Sequence, residues 1–212
     1  MTNPASESLA RRERYALCDL ALQVGPEAPT RCAGWDVGDL IAHLVVRERR
    51  PHAAVGIVVS KLAPITERAM AKVKAKPFAE VVASIREPKL PFSLSVLEPS
   101  LNTVEWFVHH EDIRRAQPDW TSRRLNSADE AELFSKLGVV GKMLARKAHV
   151  PITIALPTGR TTTLRSGAKP VTITGPVGEL TMFLSGRTTY ADLTFDGPGE
   201  AVEQVRSAQF EM

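Results

Sequence analysis

The sequence predicts an α+β chain, with a helical domain over residues 1–150 and a small α/β domain over residues 151–212. Three observations carry this. Apolar residues recur at helical spacing through most of the first 150 positions, and after Val150 the period shortens to that of β-branched strands. With 212 residues, 43% of them hydrophobic, the chain is long and apolar enough for a sizeable core.

Four or five helices are expected first. Ser6 to Val24 reads as a helix with Leu9, Ala16, Leu17, Leu20 and Leu22 as its apolar positions, stopped by Gly25 and Pro26. A second helix runs from Asp36 to about Arg49 and ends before Pro51. Asp36 is a good N-cap, and Asp39 complements the positive helix start. Residues 52–87 are helical in character but interrupted at Pro64 and Pro77, with Lys72, Lys74 and Lys76 on a solvated face. Residues 88–99 form a proline-punctuated loop into a helix over residues 101–117. Residues 127–147 open with the capping pattern Ser127-x-x-Glu130 and carry Leu133, Leu137, Val140, Met143 and Leu144.

The short runs 152–156, 161–164 and 171–174, separated by Pro157-Thr-Gly159 and Ser166-Gly167, suggest a meander. A helix over 178–186 with a glycine cap, a strand over 192–195 and a helix over 200–209 complete the order β-β-β-α-β-α. Such a domain most often covers or extends a neighbouring site.

Charge and cysteine usage narrow the function classes. Against 24 acidic residues, 27 basic ones leave a net charge of only +3, and they are scattered, which argues against nucleic acid as a partner. No apolar run nears 18 residues and Met1 to Arg14 is polar and charged, so a soluble, cytoplasmic protein without a membrane partner is expected. Cys18 and Cys32 form no C-x-x-C or metal-ligand spacing and are expected to be free, Cys18 in the core and Cys32 in the loop before Gly34. No glycine-rich phosphate loop or nucleophile elbow is present.

The chemistry concentrates in Leu101 to Gln117, LNTVEWFVHHEDIRRAQ. Glu105, His109 and Asp112 fall on one narrow arc, flanked by Leu101, Val104 and Val108 on one side and by Trp106 and Ile113 on the other. A buried carboxylate beside an imidazole needs a partner, and a metal ion suits the pair. His110 projects about 100° away from His109. Spacing alone favours a plainer reading: an ordinary i,i+4 hydrogen-bonded pair of Glu105 and His109, or simple helix salt bridges from Asp112 to Arg115 or Arg114. His43, in the segment G-W-D-V-x-D-L-x-x-H-L, lies off the centre of its helix's apolar face and is not marked as a ligand by periodicity.

Taken together, these two segments resemble the metal-binding domain of the mycothiol-dependent maleylpyruvate isomerase family, within the DinB-like group of four-helix thiol transferases. The resemblance implies a DinB-like four-helix bundle followed by a small C-terminal α/β domain. It further implies a divalent metal, usually zinc, held by His43, Glu105 and His109, with Asp112 one turn beyond as a residue that supports a ligand. The V-H-H-E-D-I-R-R-A run resembles an actinobacterial branch more than the isomerase, and the prolines between His43 and Glu105 depart from the isomerase pattern.

On this resemblance the chain is a candidate metal-dependent thiol S-transferase or isomerase, with a low-molecular-weight thiol such as mycothiol and a small electrophilic substrate as partners. Two imidazoles and one carboxylate leave zinc with an open position, as in catalytic sites. Arg47, one turn after His43, is the nearest candidate for an anionic substrate group, with Arg115 second. A non-enzymatic metal-binding or interaction module and a metal-dependent hydrolase stay open as alternatives.

Overall fold

In a computed structural model, the described residues are 7–49, 63–87, 99–208 and 210. The chain divides into two compact units, Met1–Trp120 and Thr121–Met212. The expected boundary near Val150 falls inside the second, because the helix over 127–144 packs on the sheet and helix that follow it.

The first unit contains α1 (Leu9–Val24), α2 (Val37–Arg49), α3 (Ala63–Lys74), α4 (Phe78–Arg86) and α5 (Pro99–Arg114). Pro64 sits in the first turn of α3 and Pro77 immediately precedes α4, so both prolines mark helix starts, where a missing N–H costs nothing. The expectations for residues 50–62 and 88–98 lie outside the described residues.

Helix α1 pairs with α5 and α4, while α2 packs on α3 and α4. Their shared core includes Leu17, Cys18, Ala21, Leu40, Ile41, Leu44, Val82, Ile85, Trp106 and Ile113. Leu22, expected in that face, is 48% exposed, while Glu13 and Arg14 are buried instead. The inward face of α1 is therefore partly polar. Arg14 donates to Glu48 Oε1 at 2.6 Å and to the Ile85 carbonyl at 3.0 Å, and its guanidinium lies 4.3 Å from the Trp106 ring centroid. These contacts meet the requirement that a buried charge be paired.

The start of α2 is fixed by reciprocal capping. Asp39 N–H donates to Asp36 Oδ1 at 2.7 Å, and Asp36 N–H donates to Asp39 Oδ2 at 3.3 Å. Lys74 is exposed as expected, yet its Nζ lies 2.6 Å from Asp39 Oδ1 and 3.3 Å from Asp36 Oδ1 and so ties α3 to this turn. Gly38 N–H donates to the Pro26 carbonyl at 2.8 Å, and a Cβ at Gly38 would sit 3.3 Å from that oxygen. The glycine lets α2 begin directly against the preceding loop.

That loop, residues 25–36, forms a strap. Val37 N–H donates to the Ala28 carbonyl, Thr30 Oγ1 donates to the Trp35 carbonyl, and Cys32 N–H donates to Thr30 Oγ1. The Arg31 N–H donates to the Asp112 carbonyl at 3.0 Å, and Arg31 Nε donates to the Arg115 carbonyl at 2.7 Å. The strap is thus continuous with α2 and hydrogen-bonded to the C-terminal end of α5.

The second unit contains α6 (Ser127–Leu144), a 3₁₀ turn (Ala145–Ala148), β1 (Ile152–Ala155), β2 (Thr161–Arg165), β3 (Val171–Thr174), α7 (Val177–Leu184), β4 (Thr194–Asp196) and α8 (Gly199–Ser207). The residue order β-β-β-α-β-α matches expectation. Asn126, not Ser127, caps α6 by accepting from Asp129 N–H at 2.9 Å. Met143, expected inward, is 52% exposed.

The sheet order β2-β1-β3-β4 is not a meander: β1 pairs β2 antiparallel but β3 parallel. The buried strands β1 and β3 occupy the centre, while threonine-rich β2 and short β4 take the edges. Helix α6 packs on α7 and β2, and α7 is buried along its length. Gly175 is required by close approach, because a Cβ there would lie 2.6 Å from the Asp192 carbonyl oxygen.

Candidate metal centre

Helix α5 is buried on every side from Thr103 to Ile113, its far face as well as its near one. A polar residue anywhere along it therefore needs a partner inside the protein. His110 meets this need on one side, its Nδ1 lying 2.7 Å from Glu13 Oε2 of α1. His109, one position earlier, points to a different group.

Three side chains converge there. Glu105 Oε1 lies 3.3 Å from His109 Nε2, one turn along α5, and 3.6 Å from His43 Nε2 on α2. All three side chains are at least 90% buried, and one ligand atom from each lies within 4.8 Å of the others. Periodicity did not mark His43 as inward. It is buried against Trp35 of the strap and against Glu105 and His109 of α5.

These residues fit a divalent ion. Bonds of about 2.0–2.2 Å at tetrahedral angles set donors roughly 3.3–3.6 Å apart, which is the spacing seen around Glu105 Oε1. His43 Nδ1, the ring nitrogen that does not face Glu105, is buried without a hydrogen-bond partner among the described residues.

The electrostatics of the cluster are asymmetric. For Glu105, burial pushes the pKa up, but hydrogen bonds from His109 and His43 and the charge of Arg47 outweigh it and hold the carboxyl well below its ordinary range. Burial lowers the His43 pKa and wins over its contact with Glu105. His109 is also pushed down by burial, yet Asp112, Cys32 and Glu105 together hold it well above 6.5. The two imidazoles are thus shifted in opposite directions, His43 down and His109 up.

Around this group, Asp112 Oδ2 lies 2.9 Å from His109 Nδ1 and is fully buried. The half-buried Cys32 of the strap donates its thiol to Asp112 Oδ2 at 3.1 Å and lies 3.9 Å from His109 Nδ1. No histidine stands near Cys32 in the sequence, because this contact joins residues far apart in the chain. The loop gave only the Gly34-Trp35 turn as a signal. Trp35 stacks obliquely on His43, with ring centroids 5.0 Å apart. Cys18, by contrast, is fully buried, and its pKa is pushed up to about 11 chiefly by that burial.

The two arginines expected to reach substrate are placed differently. Arg47 Nε lies 3.0 Å from Glu105 Oε1, so it is part of the cluster. Arg115 is 1% exposed, with its Nε 2.7 Å from Glu111 Oε2 and its guanidinium over the Trp120 ring. That buried pairing corrects the expectation that Arg115 is free to hold a substrate.

No family model and no curated protein matches this sequence. Among solved structures, the fold is similar to that of the mycothiol-dependent maleylpyruvate isomerase and to a histidine-to-alanine mutant of that enzyme. Each has a TM-score of 0.53 and 13% identity, over 92% of this chain and 96% of that one. The likeness is one of fold: a helical part followed by a small α/β part. Among the described residues, no helix is long and apolar enough to cross a membrane.

Proposed function

We propose that this chain binds one divalent ion through His43, Glu105 and His109 and uses it with a low-molecular-weight thiol to transform a small electrophile, as a transferase or isomerase. The observation that carries the reading is the convergence of two buried imidazoles and one buried carboxylate at ligand spacing. The fold likeness to an isomerase described as mycothiol-dependent supports the choice of thiol. On this reading the ion is zinc, the thiol is mycothiol, and the chain is a cytoplasmic member of an actinobacterial branch of that family.

A divalent ion held by these three donors supplies an open position at which a thiol or water loses its proton more readily and a substrate oxygen is polarised. The surrounding residues prepare that position. Asp112 accepts from His109 Nδ1–H and so leaves Nε2 as the lone-pair nitrogen. Arg47 orients the Glu105 carboxylate and is the cation nearest an anionic substrate group. Trp35 covers one face of His43.

The experiment is cobalt substitution after Cys18 and Cys32 are both replaced by serine. Titration with mycothiol should bring up a sulfur-to-cobalt charge-transfer band. A cobalt site that stays oxygen- and nitrogen-coordinated at saturating thiol rejects thiol activation. A second reading, an ion that only staples α2 to α5, draws on the ligands' origin in two helices. It requires that chelation abolish cooperative melting, whereas the capped helices and extensive core favour a folded apo protein.

A further inference from the structure

We propose that His109 serves two mutually exclusive ligand sets, and that the second, Cys32 Sγ with His109 Nδ1 and Asp112 Oδ2, takes a thiophilic divalent ion. The three donors lie 3.1 Å (sulfur to carboxylate), 2.9 Å (nitrogen to carboxylate) and 3.9 Å (sulfur to nitrogen) apart. A tetrahedral ion with one sulfur, one nitrogen and one oxygen ligand needs separations of roughly 3.4–3.6 Å, so each distance changes by about half an ångström or less. Cys32 is the most accessible of the three and sits on a loop, so the two sulfur distances adjust through the strap, while the nitrogen-to-carboxylate separation opens by rotation of the His109 and Asp112 side chains on α5.

Exclusivity follows from the imidazole itself. A neutral ring offers one lone pair, and its other nitrogen carries the proton. With an ion at the His43 set, Nε2 is the ligand and Nδ1–H donates to Asp112. With an ion at the Cys32 set, Nδ1 is the ligand and Nε2–H donates to Glu105, 3.3 Å away. Both tautomers find a buried carboxylate waiting, so the ring stays in place while its proton changes sides. From the neutral ring, binding at the second set releases one proton to solvent, that of the Cys32 thiol.

The two sets differ in the ions they favour. His43, Glu105 and neutral His109 leave a divalent ion with a net positive charge and hard or borderline ligands. Cys32 thiolate and Asp112 carboxylate neutralise it fully, and the sulfur selects soft ions. Occupation of the second set by such an ion withdraws His109 from the first, and this inhibitory consequence rests on the function proposed above. The Cys32 site itself does not.

The test titrates the full-length protein with cadmium chloride and follows the thiolate-to-cadmium charge-transfer absorption. One equivalent should develop the band in the wild type, in Cys18→Ser and in His43→Ala, and Cys32→Ser should lose it. Absence of the band in the wild type, or its persistence in Cys32→Ser, overturns the site. In the unsubstituted protein, cadmium should also slow alkylation of Cys32 by iodoacetamide by roughly tenfold or more, since a coordinated thiolate is a poor nucleophile. An unchanged rate overturns the site without any variant needing to fold. With cobalt loaded first, each cadmium bound should release one cobalt, and joint binding of both ions refutes exclusivity. If cobalt never binds while the cadmium band appears, the Cys32 site stands and the His43 reading falls.

Discussion

Arg47 Nε and Glu105 Oε1 are 3.0 Å apart, and that same carboxylate oxygen faces both His43 and His109. A cation already stands beside the carboxylate that a second cation would use. Arg47 lowers the cost of burying Glu105 in the ion-free protein, and it also opposes an ion there. Arg47→Ala is therefore expected to bind zinc about tenfold more tightly in chelator competition. Weaker binding in this variant would mean that orienting Glu105 matters more than repulsion.

Alanine at His43, Glu105 or His109 should each remove most of the zinc measured by elemental analysis. His110→Ala should keep it, because His110 is spent on Glu13. The same substitution should lower stability by about 1–3 kcal/mol, since it leaves the buried Glu13 carboxylate without its imidazole. Loss of metal in His110→Ala with retention in His109→Ala would reverse the assignment of the two histidines.

The raised pKa of His109 fixes the direction of a pH dependence. In the ion-free protein its charged form is favoured by Asp112, Cys32 and Glu105 against burial. That contribution to stability is complete below about pH 6.5 and fades as pH rises through the elevated folded-state value. Ion binding at Nε2 must displace this proton. Zinc affinity should rise about tenfold per pH unit until the ring is neutral, with one proton released per ion in calorimetry across buffers of different ionisation heat. Glu105, held well below 4.5, stays ionised throughout. Affinity flat between pH 6 and 8 would contradict the raised pKa of His109.

A separate expectation concerns the polar seam of α1. Arg14 and Glu48 are each nearly fully buried and 2.6 Å apart, so Glu48→Ala strands the guanidinium and should cost about 3–5 kcal/mol in denaturant unfolding. Replacing Arg14 by methionine in the same chain should recover much of that loss. A single-variant cost near zero would mean that Ile85 and Trp106 satisfy Arg14 unaided.

The helices were legible in the sequence because prolines, caps and 3.6-residue periodicity are local signals. Glu105 and His109 were readable for the same reason, since one turn of one helix holds both. The burial of His43 was not readable: it depends on which helices cover α2, and its own helix has apolar residues on most faces. The parallel pairing of β1 with β3 escaped as well, since short strand runs fix pairing only through burial, and β2 is too polar to sit in the centre. The Cys32–Asp112 contact lies at the limit of such reading. The sequence puts Cys32 on a loop and Asp112 on a helix, and only the fold brings them to 3.1 Å.

The strap between α1 and α2 bears on how this chain tolerates mutational drift. Its hold on α5 includes a bond from the Arg31 N–H to the Asp112 carbonyl, and neither group is changed by swapping side chains. The attachment of the strap to the C-terminal end of α5 therefore rests in part on main-chain atoms, which every residue type except proline supplies at position 31.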